Sequence, residues 1–88
     1  MVDYICGDIL ANVAASLFAR KFGKRIRELR EAAGLSQERL ADEAGLHRTH
    51  ISLIERGRRS VRLETIERLA IALKTQPGAM MPVLKFAR

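Results

Sequence analysis

The segment LHRTHISLIERGRRS, residues 46–60, gathers two histidines, a threonine and four arginines within one short stretch. Such residue types could hold a metal, activate a nucleophile or bind phosphate. His47 and His50 would supply two imidazole ligands from one helix face. A zinc site needs about four ligands. The lone Cys6 is remote, and no second cysteine or acid pair stands nearby, so no metal is expected. Serine, histidine and aspartate are present, but nothing in the spacing orients them as a triad, and no glycine-rich phosphate loop occurs. The chain therefore reads as a protein without a cofactor and not as an enzyme. Phosphate is the chemistry that remains.

The elements that position these residues follow from the apolar spacing. Ile51 and Ile54 define the inward side of a helix over residues 47–55, and Gly57 stops it. Its exposed face then carries His47, Arg48, Thr49, Ser52 and Leu53. A second short helix precedes it, with Ser36 as N-cap, Glu38 in the first turn, Leu40, Ala41 and Ala44 inward, and Gly45 at the end. Before that, Phe22, Ile26, Leu29 and Ala33 form one stripe of an amphipathic helix over residues 20–33, stopped by Gly34. Residues 63–74 repeat the pattern with Leu63, Ile66, Leu69, Ala70 and Leu73. Pro77-Gly78 is expected to break the chain. The tail AMMPVLKFAR starts a fifth helix that Pro82 holds to a short piece.

The N-terminal 18 residues are apolar over a wide arc. Ile9, Val13 and Leu17 share one face, and Leu10, Ala14 and Phe18 the next. This segment reads as a helix that can run straight into the one at 20–33. It would be buried against its own domain or a second copy. The expected organisation is thus an extension at 1–18, a domain at 19–76 and a short helical tail at 77–88.

Bulk composition narrows the class. Eighty-eight residues make one domain with a modest core, and 48% hydrophobic with only 5% aromatic content suits small packed helices. No period-2 strand pattern of useful length is present. The net charge of +6 and pI near 10.5 favour an anionic partner. The charge is also clustered. Arg20, Lys21, Lys24, Arg25, Arg27 and Arg30 are opposed only by Glu28 within residues 20–30, and Arg56, Arg58, Arg59 and Arg62 contain one another's company without an intervening acid. A phosphate footprint needs such gathering. One cysteine excludes an internal disulfide and fits a reducing cytoplasm; Cys6 reads as a small hydrophobe. The apolar run at 9–19 is too short to span a bilayer and lacks the basic start of a signal peptide, so no membrane role is expected.

Two short helices joined by a glycine-containing turn make a helix-turn-helix. LREAAGLSQERLADEAGLHRTHISLIERGRRSVRLETIERLAIAL resembles the phage repressor/Cro-type, or XRE, helix-turn-helix family, and in particular the controller proteins of restriction-modification systems. The blocks GLSQERLA, RTHIS and IERG carry the resemblance, which covers residues 22–76. It implies an all-α, five-helix, lambda-repressor-like domain, here with an extra N-terminal helical segment. It also implies a homodimer that binds a pseudo-palindromic operator in double-stranded DNA and regulates transcription. The chain departs from the family at His47, a poorer cap than the usual Ser, Thr or Asp, and at Val61-Arg62, where Pro-Ser is common.

In this fold the helix at 47–55 enters the major groove N-terminus first. Arg48, Thr49, Ser52 and Leu53 are then the base-contact residues, with Arg48 suited to a bidentate contact with guanine. Gln37, His47, His50, Arg56, Arg58, Arg59 and Arg62 are the phosphate-contact residues, with packing as the other reading of His50. Arg30 and Glu55, by resemblance, form a structural salt bridge between the first and third helices. Two alternatives share the residues: an antitoxin that docks a toxin through a hydrophobic terminal segment, and a protein-interaction module whose working surface is the extension 1–18.

Overall fold

A long helix, α1 (Val2–Ala32), carries the other four: α2 (Gln37–Ala44), α3 (Arg48–Glu55), α4 (Leu63–Leu73) and α5 (Pro77–Met80). The structure is a computed structural model, which describes the backbone of residues 2–83 and the side chains of residues 17–83. No strand occurs among the described residues. The N-terminal extension is helical and continuous with the helix expected at 20–33. Its side chains up to residue 16, including Cys6, Ile9, Leu10, Val13 and Ala14, and the tail residues 84–88 lie outside those described. No described helix is long and apolar enough to cross a membrane.

The core is built from one stripe of each helix. Phe22 and Ile26 of α1, Leu40, Ala41 and Ala44 of α2, Ile51 and Ile54 of α3, Leu69, Ala70 and Ala72 of α4, and Met80 of α5 are all buried. Leu29, Leu35 and Leu46 pack around them. α1 packs on α3 and α5, α2 packs on α3 and α4, and α4 packs on α5. These contacts fix α3 against two other helices, and its remaining face is left to solvent.

The turn between α2 and α3 depends on Gly45, which takes φ +70° and whose N–H is accepted by the Asp42 carbonyl at 3.3 Å. This left-handed conformation costs a non-glycine residue about 1 kcal/mol or more. Ser36 caps α2: its hydroxyl accepts the Arg39 N–H at 3.0 Å. A different constraint acts at Gly23. A Cβ there would fall on the Ile54 carbonyl oxygen and within 2.8 Å of the Glu55 carbonyl oxygen. The backbones of α1 and α3 touch at this point, and only glycine leaves room.

Two expectations are corrected. Leu63 is not an inward residue of α4; it is 85% exposed. The buried side of α4 runs through Thr65, Leu69, Ala70 and Ala72, with Ile66 and Leu73 at its edge. Leu63 lies seven residues before Ala70 and so on its side of the helix, but as the first residue of α4 it stands at the end of the packed arc, in solvent. The second correction concerns Pro77. Pro77 does not break the chain; it begins α5 at the first helical position, where its missing N–H has no intrahelical acceptor to lose. The helix ends at Met80, and Met81 before Pro82 takes extended backbone (φ −81°, ψ 134°), the conformation a following proline imposes, so the tail helix is short as expected. Met80 is fully buried, which ties this short helix into the core.

Candidate nucleic-acid interface

The placement of α3 begins with a buried polar knot. The Arg30 Nε donates to Glu55 Oε2 at 2.6 Å, and its second terminal nitrogen donates to Glu55 Oε1 at 3.2 Å. The remaining nitrogen donates to the Leu35 carbonyl at 2.8 Å. Only 11% of the Arg30 side chain and 3% of the Glu55 side chain are exposed. The hydrogen bond that Arg30 donates to Glu55 raises the Arg30 pKa above its ordinary value, against the opposing effect of burial. A bidentate, shielded pair of this kind fixes both partners in direction as well as in distance. It ties the end of α3 to α1 and to the loop before α2.

Gln37, the first residue of α2, joins the same knot. Its Nε2 donates to Glu55 Oε1 at 3.1 Å. The side chain read from sequence as a phosphate contact is thus half-buried and anchored from below by Glu55. The sequence reading missed this link. Its signal would have been that Gln37 and Glu55 occupy the start of one helix and the end of the next.

α3 itself starts at Arg48, and His47 takes the N-cap position with extended backbone (φ −83°, ψ 148°) and no side-chain cap bond. The imidazole does not replace the hydroxyl or carboxylate that usually caps a helix. With Ile51 and Ile54 buried, His47, Arg48 and Thr49 are exposed. Ser52 and Leu53 are half-buried, not fully exposed as expected. They lie in the half of α3 that approaches α1, where Gly23 meets the carbonyls of Ile54 and Glu55.

Arg48 has a partner that sequence spacing did not reveal. Its Nε lies 3.7 Å from Glu38 Oε1, with both side chains largely exposed. The two residues are ten apart in sequence and meet only because the Gly45 turn folds α3 back beside the start of α2. His50 is half-buried, and its pKa is lowered first by that burial and then by the nearby Arg59 and His47. A neutral imidazole is therefore favoured at this position near neutral pH.

Beyond α3 the arginines separate into two kinds. Arg56 folds back, its Nε donating to the Ser52 carbonyl at 3.4 Å, which covers the helix end. Arg58, Arg59 and Arg62 are exposed, and among the described residues none makes a salt bridge. Arg62 precedes α4 at its N-cap position without a side-chain cap bond. The arrangement therefore presents Arg48 and Thr49 at the open end of α3, and free guanidinium groups beside its other end. No group of three or more metal-ligating side chains comes together among the described residues.

Comparison with known proteins matches this geometry. Residues 21–84 match the helix-turn-helix domain family. The control protein C.BamHI of Bacillus amyloliquefaciens is 51% identical over 61 residues, which span 68% of this chain and 75% of that protein. The immunity repressor protein of Bacillus phage phi105 is 39% identical over 59 residues, 67% of this chain but only 41% of that protein. The crystal structure of the restriction-modification controller protein C.AhdI from Aeromonas hydrophila superposes with a TM-score of 0.71 at 49% identity, covering 72% of this chain and 96% of that one.

Proposed function

Because the chain belongs to the helix-turn-helix domain family of DNA-binding regulators, we propose that it is a sequence-specific transcriptional regulator that binds a pseudo-palindromic operator as a homodimer in the cytoplasm. The observation that carries this reading is α3. Its inner side is locked by Ile51, Ile54 and Glu55, and its outer side offers Arg48 and Thr49 next to unpaired arginines. α3 enters the major groove, Arg48 reads a guanine through two hydrogen bonds, and Thr49 meets a thymine methyl or a base acceptor. Ser52 and Leu53 follow one turn further along α3. Gln37, His47, His50, Arg56, Arg58, Arg59 and Arg62 take phosphates, which set register and orientation.

The similarity to restriction-modification controllers supports a regulator of that kind, with a methyltransferase and nuclease pair among its target genes. Dimerisation has support of its own. Ile71 is 69% exposed on α4, beside an open groove of about 600 Å³ lined by Glu67, Ala70, Lys74, Thr75, Gln76 and Pro77. An exposed apolar side chain at such a rim suits cover by a second copy.

Selection of bound fragments from random duplex DNA, followed by footprinting, tests the reading. The expected product is a pair of related half-sites centred about 34 Å apart, one turn of DNA. Recovery of no common sequence would overturn it.

A further inference from the structure

We propose that Arg20 and Lys24 of α1 form, together with Arg58 and Arg59, a second phosphate-binding surface that grips the DNA backbone beyond the bases α3 reads. The inference rests on α3 being the recognition helix and adds a separate contact region to it. Arg20 and Lys24 are four residues apart, one above the other on one face of α1. Gly57 shows where that face lies. A Cβ at Gly57 would come within 2.7 Å of the Arg20 Cα and 2.6 Å of its Cγ. Gly57 stands between Arg56 and Arg58, so the α1 ridge abuts the arginine loop that leaves α3. Lys21 lies about 100° round the helix from Arg20 and is not part of the ridge.

Arg25, Arg27 and Arg30, the remaining cations of α1, are already committed. Arg25 donates to the Ala79 carbonyl at 2.8 Å and reaches Glu28 at 3.5 Å. Arg27 pairs with Glu31 at 3.2 Å, and Arg30 with Glu55. Arg20 and Lys24 are exposed, and among the described residues neither pairs with a carboxylate. Cations gathered without acids repel one another in the free protein. A continuous polyanion relieves that repulsion by exchanging its condensed counterions for the side chains. The DNA backbone is such a polyanion, and it runs on past the groove that α3 occupies.

Salt dependence of binding tests the surface. Each lost phosphate contact flattens the plot of log affinity against log salt by about 0.9. The Arg20→Ala/Lys24→Ala double variant should therefore lose roughly 2 from the slope, and Lys24→Ala alone about 1. The loss should appear equally on a selected operator and on an unselected duplex of the same length, because phosphate contacts carry no sequence information. The footprint on the operator should protect the same bases. Arg20→Lys/Lys24→Arg should keep the parent slope. An unchanged slope in either alanine variant, with melting temperature retained, overturns the proposal. If random DNA yields no operator at all, the recognition-helix reading fails, and the slope on the unselected duplex still decides the α1 surface.

Discussion

Glu38 at the start of α2 stands 3.7 Å from Arg48 at the start of α3, so the residue proposed to read a base is already paired with a carboxylate. Both side chains are largely exposed, and such a pair contributes about 0–1 kcal/mol to stability. Its effect on binding is larger in kind. On the proposed reading, Arg48 must leave Glu38 to reach a guanine, and Glu38 stays behind as a negative charge near the incoming phosphates. Glu38→Gln should leave the melting temperature nearly unchanged and raise DNA affinity by up to about fivefold, the equivalent of ~1 kcal/mol. Equal or weaker binding by the variant in a titration at low salt would show that Glu38 instead orients Arg48 for the groove.

Glu55 is the opposite case. It is shielded and answers two donors, Arg30 and Gln37. Glu55→Gln strands the Arg30 charge and should cost about 3–5 kcal/mol in urea unfolding. Replacing both partners with methionine should cost less than that single change, since no lone charge is left inside. A double variant less stable than either single one would contradict this account of the pair.

Arg48 and Arg59 should separate in a comparison of sequences. Arg48→Ala should lose about 1–3 kcal/mol on the operator and relax selection at one base pair. Arg59→Ala should weaken operator and random DNA alike and flatten the salt slope by about 1. Identical patterns from the two variants would mean that Arg48 binds backbone only.

His50 gives a pH signature. Its folded pKa lies below the ordinary value near 6.5, chiefly because of burial, so the unfolded chain binds a proton more readily. Stability from this group is complete above about pH 6.5 and is lost as pH falls through the window below it. Between pH 7.5 and 5.5 the melting temperature of the parent should fall more than that of His50→Gln. Parallel curves for the two proteins would remove His50 from the account.

Much of the fold was legible because it rests on local rules. Gly34, Gly45 and Gly57 take positive φ where the sequence demanded stops. Phe22, Ile26, Leu40, Ala41, Ala44, Ile51 and Ile54 are buried where helical spacing placed them. The rest depends on neighbours that only the folded chain supplies. Leu63 looked inward because it keeps helical spacing with Ala70, yet α2 and α5 set how far along α4 the packing reaches. Gly23 looked like an ordinary residue of a helix until the carbonyls of α3 closed on it. The pairing of Glu38 with Arg48, and the bond from Gln37 to Glu55, join residues ten and more apart across a turn. Propensity and periodicity carry no term for such contacts.

The two ends of α3 are held very differently. Its last turn is pressed against Gly23 and bonded through Glu55 to Arg30 and Gln37, while its first turn has no side-chain cap from His47. α3 is in effect a cantilever, clamped at its root by a shielded knot and held near its tip only by Ile51 and the exposed Glu38–Arg48 pair. The tip is the part that carries Arg48 and Thr49. On the proposed reading, small differences between the two halves of an imperfect palindrome are absorbed by deflection at the tip, without disturbing the clamp. Amide hydrogens of the first turn should accordingly exchange with solvent well before those of the last, and slow down when DNA arrives.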